Sequence, residues 1–260
     1  MGIRAKELKH IVITGASGGI GAALAVYYAA PGMTLGLTGR DRGRLEAVKK
    51  VCEGKGAAVR LGVLDVTDRE GMADWLRTFD QEFPLDLLVA NAGISAGPGP
   101  LVLEDPQRVR EVFGVNLYGV LNTVEPILPL MVARGRGHIA LMSSLAGFRG
   151  FPGAPAYTAS KAAVRVYGEG LVSPLRKQGV GVHVICPGFV ESAMTERNPF
   201  PMPFLMSAEA AAQAIVRGIE RGKTRIAFPW PVVLAVRILA CLPDRAAHLL
   251  TRKTPSKPRS

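Results

Sequence analysis

Cysteine and histidine are scarce in this sequence. The three cysteines are odd in number, widely spaced and form no Cys-x-x-Cys pair: Cys52, Cys186 and Cys241. This spacing argues against a disulfide framework and a thiolate zinc site, and it favours a reducing compartment. The four histidines include no His-x-x-x-His pair, so no metal site is predicted; they are His10, His138, His183 and His248.

Apolar segments are short at both ends of the sequence. The N-terminal residues pass from a few charges directly into a strand-like segment, without the apolar stretch and cleavage site of a signal peptide. We therefore expect a cytoplasmic protein. The apolar run from Val232 to Leu242 has only eleven residues and includes Arg237, whereas a bilayer requires about 20.

Acidic residues are few: 21 Asp and Glu face 32 Lys and Arg, a net charge of +11. Residues 217–260 hold 10 basic and 2 acidic side chains, for +8, whereas residues 1–216 carry only +3. The uneven distribution indicates either a local contact with anions or a solvated basic tail. Aromatic residues are sparse in this tail, so nucleic acid is not an expected partner.

Two interpretations of the C-terminal extension, residues 229–260, stay open. It is either peripheral to a membrane or packed on the substrate lid or another subunit, and the second is preferred. The membrane interpretation buries the apolar face in the lipid interface and turns cations to anionic headgroups. It uses Trp230, Arg245, Arg252 and Lys253.

The remaining composition is that of a packed globular protein. The chain has 260 residues, 48% hydrophobic and 20% charged, which excludes a disordered tail or linker and makes one large domain the default. We assign residues 1–228 to this domain, with a substrate lid over residues 192–207.

Short apolar, β-branched runs alternate with longer helix-like stretches. This alternation is typical of βαβ units, and it predicts an α/β fold with a doubly wound parallel sheet of about seven strands. Near-continuous apolar runs such as LDLLVA indicate strands covered on both faces. The predicted strands are His10–Thr14, Thr34–Thr38, Ala57–Leu64, Leu85–Ala90, His138–Ser143, Gly181–Cys186 and Arg225–Phe228. Asp41 and Asp68 each precede a predicted helix as capping residues.

A glycine-rich turn follows the first strand. The segment TGASGGIG, residues 14–21, precedes the helix-like AALAVYYAA. Glycine permits a tight turn there and lets backbone N–H groups approach a pyrophosphate, which the positive end of the helix also attracts. The first βα turn of a doubly wound pattern therefore predicts a dinucleotide site.

The spacing of Gly15, Gly19 and Gly21 resembles the cofactor loop of the short-chain dehydrogenase/reductase family. Three further segments carry the same resemblance, which covers roughly residues 9–228: residues 90–93 (ANAG), Ser144 ahead of a Tyr-x-x-x-Lys pair, and residues 187–188 (PG). The family implies a Rossmann fold and an oxidoreductase that is a homodimer or homotetramer.

A tyrosine and a lysine four residues apart share one face of a helix. In Tyr157-x-x-x-Lys161 the ammonium is expected to stabilise phenolate and to move the pKa of the phenol toward neutrality. Ser144 follows an apolar strand, where ligands of open α/β sheets bind; its neighbour Ser143 is the rival, and the resemblance favours Ser144. The family also implies that Asn116 supports a helix kink and a proton-relaying water.

The resemblance implies hydride transfer between a nicotinamide and a carbonyl or alcohol carbon, with Tyr157 as the general acid/base. Lys161 would also hold the nicotinamide ribose. The alternative is a non-catalytic dinucleotide-binding sensor on the same fold. A sugar-nucleotide epimerase is disfavoured, because it normally has a larger substrate domain and a different glycine spacing.

The end of the second strand indicates which dinucleotide is bound. Gly39 stands where an NAD enzyme needs an acid for the ribose, and Arg40 follows, which favours NADP(H) over NAD(H). Asp41 offers a carboxylate if the alignment shifts by one residue. The cofactor contacts that the resemblance implies are Gly15, Ser17, Gly19, Ile20, Gly21, Arg40, Asp65, Val66, Asn91, Ala92, Gly93, Tyr157, Lys161, Pro187, Gly188, Val190 and Ser192. At Ser192 the family usually has threonine.

The predicted lid is rich in proline, methionine and phenylalanine, which favours a hydrophobic carbonyl or alcohol substrate. Five of its side chains either line the substrate pocket or pack the lid on the body, and the sequence does not separate these alternatives. They are Phe200, Met202, Phe204, Leu205 and Met206.

Overall fold

A computed structural model describes residues 3, 8–97, 103–198 and 200–252. Seven parallel strands form one sheet in the order β3-β2-β1-β4-β5-β6-β7. The strands are β1 His10–Thr14, β2 Thr34–Gly39, β3 Ala58–Val63, β4 Leu87–Ala90, β5 Gly137–Met142, β6 Val180–Pro187 and β7 Arg225–Phe228. The predicted fold class and all seven strands are confirmed.

Helices cover both faces of the sheet. They are α1 Gly19–Tyr28, α2 Arg42–Gly54, α3 Arg69–Glu82, α4 Pro106–Phe113, α5 Gly119–Val124, α6 Leu128–Arg134, α7 Pro155–Lys177, α8 Ala208–Glu220, α9 Trp230–Cys241 and α10 Asp244–Thr251. A π-helical turn, Gly114–Tyr118, joins α4 to α5, and a 3-10 turn, Leu145–Phe148, follows β5.

Two buried apolar clusters hold these layers together. One lies between the sheet and α1, α2 and α8, with Leu24, Leu45 and Ile215 fully buried. The other lies against the helices of the opposite face, with Leu76 and Val164 fully buried. Because both faces of the central strands are covered, β2, β4, β5 and β6 are buried at every residue, as their continuous apolar sequences predict.

Local sequence sets several element boundaries. The carboxylates of Asp41 and Asp68 accept hydrogen bonds from the backbone N–H groups of Arg44 and Gly71, both at 3.0 Å, so both predicted helix caps are confirmed. Strand β4 begins two residues later than predicted. The reason is that the Leu85 N–H donates to Asp80 Oδ1 at 2.9 Å instead of to a neighbouring strand.

Within the described residues, one helical run, 106–134, is long and apolar enough to cross a membrane by length and composition. Half of its most apolar window is buried inside the protein. Its inward side chains join the second core cluster, as expected for a helix that packs on one face of the sheet; they include Val120, Val124, Ile127 and Met131.

Candidate active site

A cavity of about 700 Å³ lies at the carboxyl ends of the strands. It straddles the point where the strand order reverses between β1 and β4, which is where ligands of doubly wound sheets bind. All of the predicted site residues line this cavity except Gly21 and Asn116. Those two lie behind its wall, where they shape the loop and the helix that form it.

Gly15, Gly19 and Gly21 of the glycine-rich turn lie where a side chain is disfavoured. Gly15 and Gly19 have left-handed φ angles of +64° and +52°, which disfavour residues with a side chain. A Cβ atom at Gly15 would lie 2.8 Å from the Cα atom of Ala92, and one at Gly21 would lie 2.4 Å from the Gly15 carbonyl oxygen. This geometry is consistent with the tight turn that the sequence predicts at these glycines.

Hydrogen bonds fasten this turn to the end of β4. Asn91 Nδ2 donates to the carbonyl oxygens of Thr14 and Gly15 at 2.9 and 3.2 Å. In return, Thr14 Oγ1 accepts from the backbone N–H groups of Asn91 and Ala92 at 3.0 and 3.1 Å. The two strand ends on either side of the switch point are thereby held at a fixed separation.

The beginning of α1 suits an anion. Gly18, which has no side chain, stands at the N-cap, and a Cβ atom there would meet nothing within 4 Å. The sequence of α1, GIGAALAVYY, has no acidic residue in its first turn. Open N–H groups at a helix N-terminus bind phosphate, so these residues fit a dinucleotide pyrophosphate.

Basic side chains line the cavity beyond the end of β2. Arg40 Nη1 lies 3.5 Å from Asp65 Oδ2, and the Arg40 side chain is 68% exposed. Arg44, which sequence reasoning missed, also lines the cavity. Asp41, the alternative carboxylate, is not among the described residues that line the cavity; it caps α2 and pairs with Arg44 Nε at 3.3 Å. The side of the cavity next to Arg40 therefore presents two guanidinium groups.

Tyr157 and Lys161 lie on the first two turns of α7 and face the cavity. Lys161 Nζ lies 5.9 Å from the centroid of the Tyr157 ring and donates to the Met142 carbonyl oxygen at 2.9 Å. Burial raises the pKa of the Tyr157 phenol above its usual value, and a hydrogen bond with Ser144 partly opposes that rise. The expected shift of this pKa toward neutrality is therefore not found, because burial outweighs the other effects, and the phenol is protonated at neutral pH.

The two serines at the end of β5 have different partners. Ser143 Oγ donates to the carbonyl oxygen of Lys161 at 2.7 Å, so it ties β5 to α7. Ser144 Oγ accepts from the Ala146 N–H at 3.1 Å and contacts Tyr157. This geometry favours Ser144 over its neighbour as the hydroxyl that meets a substrate.

Asn116 is fully buried in the π-helical turn. Its Oδ1 accepts from the Ile94 N–H at 2.8 Å, and its Nδ2 donates to the Ile94 carbonyl oxygen and to Ser160 Oγ at 2.9 and 3.0 Å. A Cβ atom at Gly93 would lie 3.2 Å from both Asn116 Oδ1 and Lys161 Nζ. The asparagine thus connects the loop after β4 to α7, beside the lysine.

The segment after β6 lines the cavity and meets the glycine-rich turn. Val190 pairs with Met206 in an isolated bridge, and a Cβ atom at Gly19 would lie 3.2 Å from Ser192 Cβ. Thr195, which sequence reasoning missed, donates from Oγ1 to the Val190 carbonyl oxygen at 2.8 Å and accepts from the Ser192 N–H at 2.9 Å. This threonine holds the turn that presents Ser192.

The predicted lid divides between two roles. Of its five apolar candidates, only Phe200 lines the cavity. Met206 packs on the core, whereas Phe204 and Leu205 are exposed, and Met202 Sδ accepts a hydrogen bond from Asn198. Pro199 lies outside the described residues.

Helix α9 of the C-terminal extension forms another wall. It packs against the 3-10 turn and β7, and its Val232 and Val236 line the cavity. The sequence favoured packing of the extension on the substrate lid or another subunit, whereas the described contacts of α9 are with the 3-10 turn and β7 of the body. The two valines were not predicted as site residues, because the apolar run shows no sign of which side faces inward.

Glu104 is a further residue that the sequence did not single out. Its Oε2 accepts from the Ala156 N–H at 2.8 Å, at the beginning of α7, and burial raises the pKa of its carboxyl group. Glu104 therefore anchors the helix end that carries Tyr157. No sequence pattern marks it, because its partner is 52 residues away.

The comparisons with known proteins agree with this geometry. The family model of the short chain dehydrogenases matches residues 9–200. An "uncharacterized oxidoreductase" of Myxococcus xanthus is 40% identical over 234 residues, which are 90% of this chain and 92% of that protein.

Two solved structures share the fold over nearly their whole length. A short-chain dehydrogenase from Sphingobium yanoikuyae in complex with NADPH is 25% identical, with a TM-score of 0.78 over 91% of this chain and 97% of the other. A short chain dehydrogenase/reductase from Burkholderia phymatum in complex with NAD is 27% identical, with a TM-score of 0.81 over 97% and 98%.

The sheet, the glycine-rich turn and the polar cluster define a nicotinamide-dinucleotide-dependent oxidoreductase. The chain belongs to the short chain dehydrogenase family.

Proposed function

We propose that this oxidoreductase reduces a hydrophobic ketone or aldehyde with NADPH, or oxidises the corresponding alcohol, and that Tyr157 is its general acid/base. The observation that carries the proposal is the arrangement of Tyr157, Ser144 and Lys161 around one cavity beside the glycine-rich turn. A non-catalytic sensor needs the turn but has no use for this polar group.

The side chains of this group have separate tasks. The Ser144 hydroxyl holds the substrate oxygen and stabilises the charge that develops on it. Tyr157 donates its proton to that oxygen in reduction and takes it back in alcohol oxidation. The raised pKa of Tyr157 keeps the proton on the phenol, and the nearby Lys161 ammonium stabilises phenolate once the proton has left. When bound, the nicotinamide supplies or accepts the hydride.

The second part of the machinery positions these groups. Asn116 holds the loop after β4 through Ile94 and reaches α7 through Ser160. We assign it the support of the helix kink and of a water that passes protons to Lys161. The pyrophosphate is assigned to the N–H groups of the glycine-rich turn, and the segment from Pro187 to Ser192 to the nicotinamide end.

The preference for NADP(H) rests on charge at the end of β2. Arg40 and Arg44 both line the cavity there, and guanidinium groups bind phosphate with charge-assisted hydrogen bonds. Asp41, the carboxylate that would favour NAD(H), is engaged as the cap of α2. Together these contacts favour the ribose 2′-phosphate over a bare hydroxyl.

A hydrophobic substrate is supported by the walls on the lid side of the cavity. Phe200 and Met194 of the lid and Val232 and Val236 of α9 contribute apolar surface, and burial of apolar surface supplies binding free energy of about 25 cal/mol per Å². The cavity volume of about 700 Å³ lies within the roughly 300–1,000 Å³ of small-molecule sites.

The decisive experiment compares Tyr157→Phe and Ser144→Ala with the unmodified protein. We expect both variants to bind NADPH unchanged while the rate of ketone reduction falls by roughly 10²- to 10⁴-fold. Tyr27→Phe, an exposed tyrosine on α1, is the matched control and should keep full activity. Near-normal turnover of Tyr157→Phe would overturn the assignment, and NADPH binding without turnover of any carbonyl by the unmodified protein would favour the sensor.

Assembly and location are proposed on the same family grounds. We expect a homodimer or homotetramer, which sedimentation velocity measures directly. We also expect a cytoplasmic location. The three free cysteines support this expectation, because disulfides are rare in cytosolic proteins.

A further inference from the structure

A second cavity of about 370 Å³ lies between α8, β7 and α9, and it shares no lining residue with the active-site cavity. We call it the basic groove. Five cationic side chains line it: Arg217, Arg221, Lys223, Arg225 and Arg237. No Asp or Glu of the described residues lines it.

Carboxylates of the described residues neutralise few of these positive charges. Among the residues that the structure describes, only Arg225 of the five forms an ion pair, with Glu169 at 2.6 Å. Glu220, the acidic residue of α8 nearest to the groove in sequence, lies close to Tyr28 of α1 and contributes to the raised pKa of that phenol. The groove is therefore a concentrated positive surface that attracts anions.

An apolar surface adjoins the basic groove along α9. Trp230, Leu234 and Ile238 follow one another at intervals of four residues, so they lie along one side of the helix. They are 76%, 52% and 56% exposed. Val232 and Val236 face the active-site cavity, whereas Val233 and Arg237 face the basic groove. One side of α9 therefore faces the active-site cavity, a second side faces the basic groove, and a third side is exposed to solvent.

The length of α9 decides how it can meet lipid. Its 12 residues extend about 18 Å, well short of the roughly 30 Å hydrocarbon core of a bilayer. A short helix with an apolar side, a tryptophan and neighbouring cations is suited to lie in the interfacial plane. Leu249 and Leu250 of α10, 58% and 64% exposed, add apolar surface in the same extension.

We propose that the basic groove and the exposed side of α9 next to it, with Trp230, Leu234 and Ile238, form one docking surface for an anionic lipid membrane. The apolar side of α9 enters the headgroup region, and the cations of the groove contact lipid phosphates. The surface differs from the one expected from sequence, because four of its five cations come from α8, β7 and the turn between them instead of the extension. Of the residues predicted to face headgroups, Lys253 lies outside the described residues.

Charge complementarity favours lipid over a second copy of this chain. A twofold interface through this face would bring two uncompensated cationic grooves together, and like charges close to one another destabilise an interface. A soluble polyanion would satisfy the cations but would leave Trp230, Leu234 and Ile238 in water. An anionic bilayer satisfies both parts of the surface at once.

The test is co-sedimentation of the full-length protein with phosphatidylserine/phosphatidylcholine vesicles and with pure phosphatidylcholine vesicles. We expect binding to the anionic vesicles that weakens as salt is raised. The double variant Arg217→Gln/Arg221→Gln should lower the partition coefficient by roughly 10- to 30-fold, since each basic residue near such a surface contributes strongly. Leu234→Gln should lower it several-fold.

The matched control positions lie on α2 and α3, away from the basic groove. Lys50→Gln/Arg77→Gln removes the same charge from exposed positions on α2 and α3, and Val51→Gln removes an apolar side chain that is 50% exposed. These variants should bind vesicles like the unmodified protein. If the test and control variants weakened vesicle binding equally, net charge alone would explain the effect, and the proposal would be overturned.

Tryptophan fluorescence gives an independent readout. The chain has 2 tryptophans, so Trp75→Phe leaves Trp230 as the sole reporter. Its emission should shift to the blue with anionic vesicles, because the indole leaves water. No shift and no sedimentation would overturn the proposal. Dissociation of a homo-oligomer by Leu234→Gln, without vesicle binding, would assign the face to a second copy.

Discussion

His138 Nδ1 of β5 lies 2.9 Å from His183 Nε2 of β6, and the two ring planes lie within 13° of each other. His183 Nδ1 lies 2.7 Å from the Lys223 carbonyl oxygen, which can only accept a hydrogen bond, so this nitrogen carries the proton. The neutral His183 then accepts at Nε2 from His138 Nδ1–H. Gly181 makes room for the pair, since a Cβ atom there would lie 2.4 Å from His138 Nδ1.

This histidine pair predicts a loss of stability in mild acid. Burial is the main cause that lowers the pKa of His138 from 6.5 to about 4, and it lowers the pKa of His183 in the same direction. Below pH 6.5 the unfolded chain takes up a proton that native His138 refuses until about pH 4. As the pH is lowered through this window, the free energy of unfolding should therefore fall by about 1.4 kcal/mol per pH unit because of His138, and His183 acts in the same direction.

Denaturant unfolding as a function of pH measures the effect. His138→Gln should flatten the pH dependence in this window, even if it lowers stability at neutral pH. His248→Gln, at an exposed position of α10, should leave the slope unchanged. An unchanged slope in His138→Gln would show that other groups cause the acid sensitivity.

The second prediction concerns the close approach in the glycine-rich turn. Gly21→Ala should weaken NADPH binding at least tenfold and lower the free energy of unfolding, because its Cβ would lie 2.4 Å from the Gly15 carbonyl oxygen and 2.6 Å from Asn91 Nδ2. Gly170→Ala is the control, since a Cβ atom there meets nothing within 4 Å. Titration calorimetry and thermal unfolding distinguish the two; equal NADPH affinity in both variants would contradict the prediction.

The third prediction concerns the choice of dinucleotide. Arg40→Ala/Arg44→Ala should weaken NADPH binding by roughly 10²-fold or more, since a hydrogen bond to a charged group contributes about 1.5–3 kcal/mol. NADH binding should change little. Arg42→Ala, on an exposed neighbour in α2 that does not line the cavity, should leave both affinities unchanged. A parallel loss for NADPH and NADH would mean that the arginines do not contact the 2′-phosphate.

The fourth prediction concerns the wall that α9 contributes. Val236→Phe should raise KM for bulky ketones more than for small ones, because the larger ring occupies the active-site cavity that Val236 lines. Leu234→Phe, on the exposed side of the same helix, is the control and should leave KM unchanged. A panel of ketones of increasing size measures the effect; a uniform change across the panel would contradict it.

The fifth prediction compares a buried ion pair with an exposed one. Arg134 Nη1 lies 2.5 Å from Asp80 Oδ2, and the Asp80 side chain is 5% exposed. Arg134→Met should therefore lower the free energy of unfolding by about 3–5 kcal/mol, because the carboxylate stays buried without its partner. Arg69→Met breaks an exposed pair with Glu125 and should cost about 1 kcal/mol or less. Similar losses in the two variants would contradict this difference.

Several site residues were predictable because their spacing along the chain determines their geometry. Tyr157 and Lys161 share a helical face whatever else the fold does, and a glycine-rich strand-to-helix turn indicates an anion site by itself. Arg44 and Glu104 were missed for the opposite reason. Each acts across a distance that local pattern does not encode, Arg44 at the cavity wall and Glu104 on an N–H group 52 residues away.

The sequence by itself determined the order of strands and helices, the two-sided burial of the sheet and the family, because periodicity and short motifs are local properties. Only the tertiary structure decided which side of α9 faces the active site, that Glu104 meets the beginning of α7, and that His138 meets His183. The tertiary structure also brought cations of α8, of β7 and of α9 together around one groove. These contacts join residues far apart in the chain, and only packing in three dimensions brings them together.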